Sequence, residues 1–130
     1  MPKSFTIDGQ KFVDLEGFYA EIESILTKGL DWKIGRNLDA FNDVLRGGFG
    51  AFDYEELIEL IWTNSDKSKS DLSWIETIKY VESKLLTCHE SNIEYVKSDL
   101  ELARNHKGQT LFDILIEIIK EQEHIRLELR

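Results

Sequence analysis

Proline, cysteine and methionine each occur once in the 130 residues of this chain, and histidine three times. One cysteine, Cys88, excludes an intrachain disulfide and reads as a small hydrophobe rather than a redox centre. His89, His106 and His124 show no His-x-x-x-His spacing and no pairing with Cys88, which leaves a zinc site or a Cys-His nucleophile without footing. No cofactor and no metal are expected. The N-terminus lacks the apolar run of a signal peptide, and no later run approaches membrane-spanning length, so the expected location is cytoplasmic, with no membrane contact. Basic residues are the scarcer charge, 16 against 25 acidic, for a formal net charge of −9. That balance, without a basic patch interleaved with aromatics, disfavours direct nucleic-acid binding and favours basic partners. What remains is a chain with 42% apolar residues, enough for one core and too short for two. A single domain over residues 1–130 is the expectation.

Phe5 to Ile7 reads as a strand that turns at Asp8-Gly9. Asp14 is a plausible N-cap for a helix whose face is Leu15, Phe18, Ile22, Ile25 and Leu26, stopped at Lys28-Gly29. Leu30 to Ile34 connects it to the next helix, and Trp32 in so short a connection either packs over the core, the preferred reading, or stands at a contact surface. Gly47 to Gly50 reads as a flexible loop, since it lacks the Gly-Lys-Ser/Thr ending of a phosphate cradle. Leu57 to Trp62 fits a strand buried on both faces, while periodicity leaves a helix from Asp53 open. Asn64 to Leu72 is polar and reads as a loop or surface turn. Ser73 with Glu76, Ser91 with Glu94, and Thr110 with Asp113 look like capping boxes opening three helices. Ile125 to Arg130 alternates cleanly and reads as an edge strand. Strands separated by helices imply parallel pairing and an α/β layering.

The segment that organises the chain is Gly35-Arg-Asn-Leu-Asp-Ala-Phe-Asn-Asp-Val-Leu-Arg-Gly-Gly48. Asn37 is a natural N-cap, and Leu38, Phe41 and Leu45 form one apolar stripe. Gly47 and Gly48 supply the stop. Asp39 and Asp43 share a face four residues apart, where like charges cost about 0.2–0.5 kcal/mol unless something answers them. Two readings stand: a merely solvated face, partly neutralised by Arg36 and Arg46, or carboxylates held out to a basic partner. A third, paired carboxylates for acid–base or metal chemistry, lacks a further ligand in the motif, and no enzyme is expected.

This segment resembles the central signature of the barstar family, in which a glycine and an Asn-Leu-Asp-Ala run open a short helix and a second Asp follows four residues after the first. Leu60-Ile-Trp62 and the Asn-Ser-Asp-Lys-Ser after Thr63 resemble the second strand and exit turn of the same family. The resemblance covers roughly residues 4–65 and 110–130, while about 70–108 departs from the compact members. It implies a three-layer fold with a small three-stranded parallel sheet packed with helices, extended by a helical insertion at 70–108. That insertion leaves room for a homo-oligomer contact.

The resemblance also implies a function. Barstar is an intracellular inhibitor that blocks the active site of a small ribonuclease with acidic groups. By position, Asp39 and Asp43 match its two helical aspartates, and Glu117 matches a further acid from the last helix if that region aligns without gaps. Trp32, Arg36, Asn42 and Arg46 complete the expected partner-binding set. Asn42 stands where the family carries a tryptophan, and Lys33 where it carries an aromatic, so a different nuclease or another toxin is the expected partner. Glu21 and Glu23 would act as rim acids that tune rate and salt sensitivity. The reading from sequence is an immunity protein or antitoxin. Its alternative is a non-inhibitory interaction or regulatory domain on the same fold.

Overall fold

The computed structural model describes residues 2–130. The elements run β1 (Lys3–Asp8), α1 (Leu15–Leu26), α2 (Leu38–Arg46), β2 (Ile58–Thr63), α3 (Ser65–Asp71), α4 (Trp74–Thr87), α5 (Ile93–Arg104), α6 (Leu111–Lys120) and β3 (Ile125–Leu129). The strands form one sheet in the order β1-β2-β3, parallel throughout, with Phe5 and Leu127 both opposite Leu60. Among the described residues a small parallel sheet packed against six helices is therefore the observed architecture. It matches the fold the resemblance implied, and the open choice at residues 57–62 resolves as strand.

The centre strand alternates rather than burying both faces. Ile58, Leu60 and Trp62 are sealed, while Glu59, Ile61 and Thr63 are half-buried. Trp62 is the hub of the core: Phe18 of α1 stacks on it at 5.3 Å between centroids and Phe112 of α6 lies at 5.1 Å. Phe41, Val44 and Leu45 bring the apolar stripe of α2 into the same cluster. Stacked and tilted aromatic pairs at these separations add roughly 0.5–1.5 kcal/mol each beyond the area they bury.

Residues 64–72 correct the loop expectation. Ser65–Asp71 is helical and sits beneath the β1–α1 connection. Trp62 Nε1–H donates to the fully buried Ser68 Oγ at 3.0 Å. Lys67 Nζ donates to the carbonyls of Gly9 and Phe12 at 3.0 and 2.8 Å and pairs with Asp71 at 2.6 Å. No apolar stripe announces this helix, because what it buries is serine. At this same end of β1, the turn at Asp8-Gly9 is a short 3₁₀ turn over Gly9–Lys11, capped by Asp8 Oδ1 on the Gln10 N–H.

Two of the three expected capping boxes are absent. Ser73 makes no side-chain cap, and Glu76 reaches across to accept from the Leu15 N–H at 3.3 Å, so it serves α1 instead. Ser91 bonds His89 within a 3₁₀ turn, Glu90–Asn92, that precedes α5. The Thr110–Asp113 box is present in both directions. Thr77 of α4 accepts from the Leu111 N–H at 2.6 Å, which fixes α4 to the start of α6. Val81, Val96 and Leu100 form a second small cluster between α4 and α5, and Tyr80 packs against both clusters.

Candidate partner-binding face

The local sequence folds α2 as its residues dictate. Asn37 Oδ1 accepts from the Ala40 N–H at 2.8 Å, and Gly47 ends the helix at φ +93. A side chain at Gly47 would bring its Cβ to 2.4 Å from the Asp53 carbonyl oxygen. The loop beyond is less free than its glycines suggest: Gly48 N–H donates to Phe52 O and Lys28 N–H to Phe49 O, both at 2.9 Å. His124 Nε2–H donates to the Leu45 carbonyl at 2.7 Å, and Gln122 Nε2 donates to Asn42 Oδ1 at 2.7 Å. Both ends and one flank of α2 are thus held by the α1–α2 and α6–β3 connections.

On this frame Asp39 and Asp43 are exposed, one helical turn apart. Among the described residues the ion pairs are Lys3–Glu56, Lys67–Asp71, Lys97–Glu94 and Arg130–Glu128, so neither arginine beside the aspartates neutralises them. Arg36 is exposed and donates to the Glu16 carbonyl at 3.2 Å. Arg46 is exposed at the far end, lining a cleft with Glu55, Glu121 and Glu123. Asn42 is half-buried and committed to Gln122. Glu117 is exposed on α6 with Gln109 as its partner rather than any residue of α2.

Trp32 corrects the core expectation. The residue is 54% exposed and its ring meets Phe49 edge-on at 6.1 Å, because the connection from α1 to α2 runs over the surface with Ile34 turned inward. Glu21 is likewise no rim acid. It is only 6% exposed, and its carboxylate accepts from the Asp8 N–H at 2.8 Å, tying α1 to β1. Glu23 is half-buried, with Oε2 sealed and unpaired.

Sequence reasoning missed the wall opposite α2. A cleft of about 510 Å³ separates the start of α2 from α4, bordered by Glu16, Tyr19, Arg36 and Asp39 on one side and Tyr80, Ser83, Lys84 and Thr87 on the other. Burial raises the phenol pKa of Tyr80, and the Asp39 charge raises it further. Tyr19 is raised for the same first reason, with Tyr80 and Glu16 adding to it. Positions 80, 83, 84 and 87 have the spacing of one helical face, so a polar face of α4 was legible. That it confronts α2 was not.

The family model described as Barstar (barnase inhibitor) matches residues 3–81. The chain belongs to the barstar family. The matched span takes in β1, α1, α2, β2, α3 and the first part of α4, so the whole acidic face of α2 lies within it. It does not reach residues 110–130, where the resemblance was also expected, although β3 from that stretch completes the sheet beside β2. Glu117 therefore stands outside the matched barstar region. The family is one of inhibitors rather than catalysts. No curated protein matches the chain. Among the described residues no helix is long and apolar enough to cross a membrane, and no group of three or more His, Cys, Asp or Glu side chains is arranged to hold a metal ion.

Proposed function

We propose that this barstar-family protein is an immunity protein or antitoxin that blocks the basic active site of a ribonuclease or related toxin with Asp39 and Asp43. The observation that carries the reading is the state of those two carboxylates: both are exposed on a helix anchored at its ends, and neither has an ion-pair partner among the described residues. Like charges at that spacing cost folding energy, which the position of Asp39 in the first turn of α2 offsets through the helix dipole but Asp43 does not. A site that holds a polyanion must concentrate Lys, Arg or His, and a rigid carboxylate can form short, sometimes bidentate bonds there. The −9 net charge adds long-range attraction and speeds the encounter, an effect for which barnase and its inhibitor are the standard example. Trp32, Arg36 and Arg46 sit exposed around α2 as rim groups, whereas Asn42 acts by positioning the helix through Gln122.

The test is capture of the native partner with the full chain, then a ribonuclease assay of that partner with and without it. Inhibition that weakens at high salt and is lost when Asp39 and Asp43 are both replaced by Ala supports the reading. A captured partner whose complex ignores those replacements would establish the second reading, a non-inhibitory interaction domain. That reading draws its support from Leu86 and Tyr95, large side chains left exposed on the α4–α5 pair, which also offer a homo-oligomer contact.

A further inference from the structure

We propose that the outer face of α4 is a self-association surface, on which two copies of this chain pair their α4 helices antiparallel about a two-fold axis. Ile75, Lys79, Glu82 and Leu86 follow one another at steps of four, three and four residues, the spacing of a coiled-coil seam, so they form one stripe along the helix. All four are exposed. Ile75 is 77% exposed, and Leu86, at 87%, is the most exposed large apolar side chain among the described residues. Val81 and Thr77, on the opposite face of α4, make its contacts with α5 and with the start of α6, so packing within the chain leaves the stripe over.

The stripe is complementary to itself when its copy runs the other way. Ile75 to Lys79 and Glu82 to Leu86 are equal steps, about 6 Å of helix each. An antiparallel copy centred between positions 80 and 81 therefore sets Ile75 against Leu86 of the second copy, and Lys79 against Glu82 of the second copy. Each contact then recurs across the axis, as a two-fold interface requires. A parallel copy would set Lys79 against Lys79 and Glu82 against Glu82, so the charged centre of the seam selects direction and register. Both charges are available for this: the ion pairs among the described residues involve other side chains. The apolar ends fit as well. Beside Ile75 lies a cleft of about 440 Å³ walled by Val13, itself 65% exposed, Trp74 and Ile78, and Leu86 of the second copy enters it as a knob. The cleft toward α2 is bordered by Tyr80, Ser83, Lys84 and Thr87, none of them in the stripe. The dimer therefore leaves Asp39 and Asp43 open and does not depend on the inhibitor reading.

A contact one helix long buries less than the roughly 1,200 Å² of standard interfaces, so a weak dimer is expected, with Kd about 10–100 µM. Sedimentation equilibrium of the full chain from about 5 to about 500 µM measures it. The buffer holds about 0.15 M salt, where a Debye length of about 8 Å screens the repulsion between two copies of net charge −9. Lys79→Glu and Glu82→Lys should each weaken the dimer about tenfold or more, since like charges then meet at both pairs. An equimolar mixture of the two variants should associate at least as tightly as the unaltered chain, because opposite charges face each other again; the double variant should return to within about threefold. Leu86→Ser should also weaken the dimer about tenfold or more. All three positions are exposed, and an unchanged Tm confirms that each variant folds. A chain that stays monomeric at about 500 µM, or a dimer indifferent to the charge exchanges, overturns the proposal. A monomer whose complex with the captured partner is weakened by Leu86→Ser would assign the stripe to that partner and overturn the dimer as well. If Leu86→Ser abolishes the dimer while inhibition of the captured partner persists, both readings stand. If the dimer behaves as described and no captured partner is inhibited, the inhibitor reading alone falls.

Discussion

Replacing Ser68 with Ala probes the least advertised bond in the core. Ser68 is fully buried on α3, and its Oγ is the acceptor for Trp62 Nε1–H at 3.0 Å, on a tryptophan with no exposed surface. The substitution removes one atom of volume but strands an indole N–H where water cannot reach it. A buried donor left unpaired costs about 1–3 kcal/mol. Alanine returns up to roughly 0.5 kcal/mol of helix propensity on α3. The expected net loss is about 0.5–2.5 kcal/mol, which for a chain of 130 residues lowers Tm by about 2–9 °C. Thermal and urea unfolding followed by circular dichroism measure it. The decisive control is the same change in a Trp62→Phe background, where no N–H exists to strand. There Ser68→Ala should cost less than about 0.5 kcal/mol, which makes the pair strongly non-additive. An equal cost in both backgrounds, or none in the native one, would refute the account of α3 as the hydrogen-bonding floor of the core.

Asp39→Ala and Asp43→Ala should leave Tm unchanged within about 2 °C or raise it slightly, because each removes half of a like-charge pair worth a few tenths of a kcal/mol; a marked fall would reveal an internal role for the carboxylates. Gly50→Ala should destabilise by at least about 1–3 kcal/mol from its positive φ alone, and more from the clash, since the new Cβ would lie 1.9 Å from the Lys28 carbonyl oxygen; a neutral urea midpoint would show that the bridge between the two loops flanking α2 does not persist. Tyr19 and Tyr80 have pKa values raised above the unfolded value of about 10. Their contribution is whole below that pH and declines as pH rises through it, because the unfolded chain ionises first. The urea midpoint should therefore fall between about pH 9.5 and 11, and less steeply in Tyr19→Phe; identical slopes would contradict the burial of that phenol.

Residues near one another in sequence carried a large part of this molecule. The caps at Asp14, Asn37 and Thr110, the stripe of Leu38, Phe41 and Leu45, the stop at Gly47 and the clean alternation at the C-terminal end are local signals, and the structure shows each element where they place it. The aspartates four apart on α2 belong to the same class, since helical spacing alone puts them on one face. Whatever depends on residues distant in sequence was silent until the chain was folded. Ser68 looks like loop composition until Trp62 needs an acceptor, Glu21 looks like a surface acid until the Asp8 N–H claims it, and Glu76 looks like its own helix's cap until α1 lies beside it. Trp32 looks like core until its connection is laid over the surface. The polar face of α4 meets Asp39 only because hydrogen bonds from α1 and α6 hold that helix across from α2. Backbone propensity and periodicity act over a turn or two of chain, whereas a buried polar atom finds its partner wherever packing places one.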